Sequence, residues 1–276
     1  MEYLPQVKAK LHRAVSLIEQ LKVEIDVHLH SENFFIEKDL VGTDTWQLTV
    51  RMRTQPPMEL GVMVGEVIHD LRSSLDIALS SYLEIAFPNE FERLKPRVRN
   101  KIKFPVADTE ASYLDTKWHA NLGDDQLLQD LRTVQPFQNL QYAEADVDKE
   151  IYLSANPLHQ LQQLWNKDKH RGINLVVGGL HMLMLGLDAG QESEWKLLDR
   201  QPWVDGSKAF LIRVKSESAV LDLNLTESFA IGLESDIRPL NIYPVVDKLK
   251  ALYGHVEHCH WVLSRWFEYR TGENLQ

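Results

Sequence analysis

A single cysteine, Cys259, stands in 276 residues, so no disulfide can form within the chain. That scarcity fits a reducing compartment. The first residues, MEYLPQVKAKLHRAV, lack the apolar centre of a signal peptide, and the expected location is cytoplasmic. Long apolar runs are missing as well: none approaches the roughly 18 residues of a membrane span, and no membrane partner is expected. Basic charge is in deficit, with 30 Lys and Arg against 40 Asp and Glu. The net charge of −10 opposes nonspecific attraction to nucleic-acid phosphate, so any nucleic acid must find a local basic patch. No CxxC, HExxH or strand–GxGxxG–helix pattern occurs, and no cofactor is expected. Internal repeats are also absent, which excludes a solenoid.

What is present describes a folded protein. Hydrophobic residues make up 44% and charged residues 25%, which is enough apolar material for a core and excludes global disorder. The length suits one compact unit or two closely joined ones. Leu11, Val15, Ile18, Leu21, Val23 and Ile25 recur at helical spacing behind Pro5, predicting a helix from about residue 4 to 29. FFIEKDL and TWQLTVRMRT alternate around Gly42 and predict a β-hairpin at about 34–54. Helical periodicity returns over residues 58–86 and stops at Phe87-Pro88. Residues 93–103 read as a basic irregular segment. Two short helices are predicted at about 108–117 and 124–134, and residues 137–151 read as a polar loop.

Asn156 followed by Pro157 is a strong helix start, and Gly172 a suitable end for a helix over 157–170. INLVVGGLHMLMLGL, EWKLLDR, KAFLIRVK, AVLDLNLT and SFAIGLE then read as antiparallel strands, with Gly178-Gly179 as a turn or bulge. A last helix spans about 245–270. The fold expected is α+β: a helical bundle with an N-terminal hairpin and a C-terminal antiparallel sheet. The segments are a mainly helical region 1–172, a β region 173–240, and a C-terminal helix 241–276 packing back on the bundle.

Two helices concentrate chemistry. Over 58–86, Val64, Val67, Ile68, Leu71, Leu75, Ala78, Leu79 and Tyr82 share an apolar face, and Glu66, His69, Arg72, Ser73 and Asp76 fall opposite. Such a stripe could hold an acid, a base and a cation, or be a solvated face with local ion pairs. Over 157–171, Leu158, Leu161, Leu164 and Trp165 form the buried stripe, and Asp168 falls inside it. A carboxylate there needs a cation, and Arg72 is the expected partner. Lys169 and Arg171 should lie nearer the rim, and Lys167, Lys169, His170 and Arg171 can all complement the helix dipole.

GEVIHDLRSSLD (65–76), IKFPV (102–106), VQPFQ (134–138) and NPLHQLQQLWNKDKHRG (156–172) together resemble a widespread group of uncharacterised bacterial proteins. The match covers about the middle 110 residues, in order, with LRSSLD and DKHR its most specific parts. In that group the Arg-x4-His spacing is similar to the active-site motif of HEPN domains. Many of these are metal-independent endoribonucleases acting as dimers, and others are noncatalytic accessory modules. The resemblance implies that Arg72 stabilises charge on a scissile phosphate while a histidine moves protons. The position five after Arg72 is Ile77, however, which cannot transfer a proton.

Two functional readings follow. In the first, an endoribonuclease site is built from Arg72, Asp76, His170 and Arg171, with His69 as the alternative base and RNA and a second copy of the chain as partners. In the second, a noncatalytic module binds a protein partner or small ligand, and Arg72–Asp168 is a structural ion pair. Arg93, Lys95, Arg97, Arg99, Lys101 and Lys103 are the phosphate-binding candidates. No metal is expected; His255, His258 and Cys259, at i, i+3 and i+4, are a weak candidate set. The sequon at Asn224 reads as chance.

Overall fold

The structure is a computed structural model that describes residues 4–31, 33–115, 124–142, 146–179, 193–198, 202–214, 229–237 and 242–272. It is an α+β fold whose chain divides into two compact units with interleaved segments. The first comprises Met1–Ile18, Val64–Gly172 and Leu249–Gln276, and the second Glu19–Met63 and Ile173–Lys248. The hairpin therefore belongs with the strands of the 173–240 region, not with the helical segments expected around it.

In the first unit, helix α1 (Pro5–His30) begins with Val7, Leu11, Ala14 and Ile18 buried, a 3- and 4-residue spacing that keeps one face inward. Helix α2 (Met58–Ala86) buries Val64, Val67, Ile68, Leu71, Leu75 and Leu79 almost completely. Short helices α3 (Pro88–Arg93) and α4 (Pro96–Arg99) follow, the second inside the 93–103 stretch that was expected to be irregular. Each opens with a proline at its first position, where the missing N–H costs nothing. Helices α5 (Glu110–Leu114) and α6 (Asp125–Arg132) start at side-chain caps, Thr109 and Asp124.

The expected polar loop at 137–151 is instead a 3-10 turn (Pro136–Tyr142) and helix α7 (Asp146–Ala155). Val147, Ile151 and Ala155 recur there every four residues, over only ten residues and with Ile151 and Ala155 exposed, so no buried face marks the helix. Helix α8 (Pro157–Arg171) is capped as expected: Asn156 Oδ1 accepts from the N–H groups of Leu158 and His159 at 2.9 and 3.2 Å. Gly172 ends it at φ +72, with its N–H on the Asp168 carbonyl.

Helix α9 (Val245–Thr271) contributes most of its length to the first unit. Phe267 stacks on Tyr82 of α2 with ring centroids 4.7 Å apart. His260, buried, meets Ser74 of α2 at 3.0 Å. Asp124 accepts from the Trp266 indole at 3.2 Å while capping α6, and so ties that helix to α9.

In the second unit, β1 (Phe34–Leu40) and β2 (Thr45–Met52) pair antiparallel with Phe34 opposite Met52. β3 (Leu175–Gly179), β4 (Ser193–Leu197), β5 (Lys208–Val214), β6 (Phe229–Ile237) and β7 (Ile242–Pro244) follow. The hairpin does not stand apart. β5 adds to β2, and β4 to β5, giving a four-stranded sheet ordered β1-β2-β5-β4; a second sheet is ordered β3-β6-β7. A two-stranded ribbon is marginal alone, and recruiting β5 pairs the second edge of β2, where Leu48 and Val50 are fully buried.

Gly178 and Gly179 are not a turn but lie within β3, opposite Ala230 and Phe229. The expected strand AVLDLNLT, the end of INLVVGGLHMLMLGL and the Asn224 sequon lie outside the described residues. No helix among the described residues is long and apolar enough to cross a membrane.

Candidate functional site

Arg72 was expected on a polar stripe, yet it is 3% exposed. Its guanidinium is spread over three partners: Nε donates to Gln162 Oε1 at 3.0 Å, Nη1 to Asp76 Oδ1 at 2.6 Å, and Nη2 to the Phe104 carbonyl at 2.8 Å. Asp76 Oδ1 also accepts the Phe104 N–H at 2.9 Å. Both peptide groups of Phe104 are thereby satisfied by one ion pair on α2, as a neighbouring strand would satisfy them. Burial pulls the Arg72 guanidinium below its usual range and pushes the Asp76 carboxyl up, and their mutual attraction opposes each change.

The predicted Arg72–Asp168 ion pair does not form. Asp168 is only half-buried, and its carboxylate lies over Gly65 on α2: a Cβ at Gly65 would stand 2.5 Å from Asp168 Oδ1. Helix phase placed Asp168 on the correct side of α8 but not at the correct level along α2. Arg72 had a nearer carboxylate one turn along its own helix, at the i, i+4 spacing.

Three of the four segments that carry the resemblance converge on the other one, the extended stretch 102–107. LRSSLD supplies Arg72 and Asp76 to Phe104, and Gln162 of the fourth segment braces Arg72. VQPFQ supplies Gln135, wholly buried, whose amide donates to the Pro105 carbonyl at 3.1 Å and whose oxygen accepts the Ala107 N–H at 3.0 Å. These motifs build one buried polar joint in which backbone and side chains satisfy each other.

The histidines of the enzyme reading stand apart from that joint. His69 and His170 are exposed, and neither is hydrogen-bonded to Arg72 or Asp76 among the described residues. The side chain of Arg171 lies outside the described residues. Ile77, at the position of the motif histidine, is half-buried.

Around the joint the charge is positive. Lys169 Nζ sits 2.9 Å from the centroid of the Trp165 ring, Lys103 Nζ 5.3 Å, and Arg72 Cζ 5.4 Å. Of the other basic candidates, Arg99 turns back onto its own loop, donating to the Leu94 and Glu92 carbonyls at 2.9 Å and lying over Phe91. Arg93, Lys95, Arg97 and Lys101 are exposed.

The metal candidate set does not assemble. Cys259 is fully buried and its thiol is pushed up to about 12 by desolvation, whereas His258 is exposed and stacks on Trp261. Among the described residues no group of three His, Cys, Asp or Glu is placed to hold a metal ion.

Sequence reasoning missed Gln162, Gln135, the Ser74–His260 contact and the Asp108–His159 pair at 2.7 Å. Gln135, Gln162, Ser74 and His159 had a signal, their place in the segments that carry the resemblance, whereas Asp108 and His260 had none. Comparison with family models, curated proteins and solved structures finds no match to this chain.

Proposed function

We propose that this protein is a noncatalytic HEPN-like module, a degenerate relative of the endoribonucleases, which binds a partner protein or small ligand. The observation that carries this reading is the enclosure of Arg72: its forked guanidinium is committed to Asp76, Gln162 and the Phe104 carbonyl at 3% exposure. A cation that stabilises a scissile phosphate must reach it, and one held this way serves the fold instead. Ile77 in place of a proton carrier points in the same direction, as does the separation of His69 and His170 from the ion pair. The motifs would then persist as the parts of a structural joint.

Incubation with a mixed RNA pool tests the reading, with wild type beside Arg72→Ala and His170→Ala. The expected result is intact RNA in all three. Cleavage by wild type that either substitution abolishes would overturn the proposal in favour of a nuclease.

A further inference from the structure

We infer that Lys103 and Lys169, gathered beside the Trp165 indole, form a binding site for the phosphate group of a small ligand. The inference rests on the reading of Arg72 as a fixed structural cation, and it starts from an imbalance of donors and acceptors. Three cations, Arg72, Lys103 and Lys169, converge on one ring. The nearby carboxylate, Asp76, already accepts from Arg72 and from the Phe104 N–H through the same oxygen. Asp76 reaches Lys103 and Lys169 only through its field, and no ion pair within 4.0 Å joins either lysine to a carboxylate among the described residues. An oxyanion is what the cluster lacks.

The environment of the two lysines supports this. The Lys169 ammonium is held below its ordinary value by desolvation first and then by the charges of Lys103 and Arg72, which the attraction of Asp76 opposes but does not cancel. A bound dianion would relieve that repulsion. Arg72, enclosed and committed to its three partners, adds only its positive field, while Lys103 and Lys169 are exposed and can close on a ligand with their strongly hydrated ammonium groups. A single phosphate fits better than a polyanion. The whole chain carries −10, which repels a polymer approaching from a distance, and Arg99, midway along the basic segment, is engaged with its own loop.

Calorimetric titration of the intact protein with inorganic phosphate, pyrophosphate and a single-stranded RNA oligonucleotide tests the site, at ionic strength held constant with sodium chloride. Phosphate and pyrophosphate are expected to bind at one site, and the Lys103→Gln/Lys169→Gln pair to weaken both by at least about tenfold. Lys22→Gln, at an exposed position on α1, should leave binding unchanged, and circular dichroism of the double variant should match wild type. Absence of phosphate and pyrophosphate binding, equal binding by the double variant, or oligonucleotide binding that saturating phosphate does not displace would each overturn the inference. A negative result here leaves intact the reading of Arg72 as structural, which stands or falls on RNA cleavage.

Discussion

Replacing Arg72 by alanine removes three charge-assisted hydrogen bonds at once and leaves what they served. Asp76 keeps its Phe104 N–H but loses the one cation bonded to it among the described residues, the Phe104 carbonyl loses its donor, and Gln162 Oε1 faces an empty volume. Breaking a buried pair from one side typically costs about 3–5 kcal/mol, because the remaining charge stays in a poor solvent. Asp76 retains 20% side-chain exposure, so some water reaches it, and the lower end of that range, about 3 kcal/mol, is the expectation. Arg72→Lys keeps a charge but not the fork, and should cost roughly half as much.

The sign with pH follows from the Asp76 carboxyl, which burial already raises in the wild type. Without Arg72 its folded pKa rises further, so the variant's folded state takes up a proton that its unfolded state binds only at lower pH. The deficit should therefore shrink as the pH falls through that folded value, and Arg72→Ala/Asp76→Asn should recover part of it at neutral pH. Urea denaturation followed by circular dichroism measures all three, with Arg13→Ala as a comparison. Arg13 pairs with Glu66 at 2.9 Å and with Asp70 at 3.4 Å, but its own side chain is 60% exposed, so its loss should cost far less than that of Arg72. An Arg72→Ala cost no larger than that of Arg13→Ala would refute the argument that Arg72 holds the joint together.

Gly65→Ala should destabilise by about 1–3 kcal/mol in the same assay, because the new methyl group meets the Asp168 carboxylate at 2.5 Å and one of the two must shift. Asn156→Ala should cost about 1 kcal/mol through loss of the two cap bonds at the start of α8. The buried His260 has its imidazole pushed down to about 4 by desolvation, and Ser74 Oγ, which donates to the Leu71 carbonyl, is left to accept from its Nε2–H. The folded state therefore favours the neutral ring. Stability is fully present above about pH 6.5 and is lost as the pH falls toward 4, by about 3 kcal/mol in all, and His260→Gln should flatten that slope.

Helix phase and capping chemistry made much of the fold legible. The bounds of α2 and the start of α8 follow from prolines and an Asn cap, local signals that tertiary context did not override. The α+β class followed from the change of texture after Gly172. Pairing of β2 with β5 was not legible, because nothing local distinguishes a strand whose outer edge is free from one that will be covered by residues some 160 positions later. The site was half legible. Arg72 and Asp76 were named and do meet, but position on a helical wheel does not tell a solvated cation from a buried one. The distinction came from Phe104 and Gln162, whose approach depends on how the 102–107 segment crosses α2. Asp168 shows the complementary limit: its side of the helix followed from phase, and its partner did not.

The central claim is that the Arg72 guanidinium is sealed within the fold, and exchange of its own Nε–H protons tests this most directly. In nitrogen-15-labelled protein at neutral pH, the Arg72 Nε–H, bonded to Gln162 and shielded from solvent, should give a persistent signal that exchanges far more slowly than that of the exposed Arg13. Exchange of Arg72 as fast as that of Arg13 would contradict the account, because a guanidinium so open to water could also meet a phosphate.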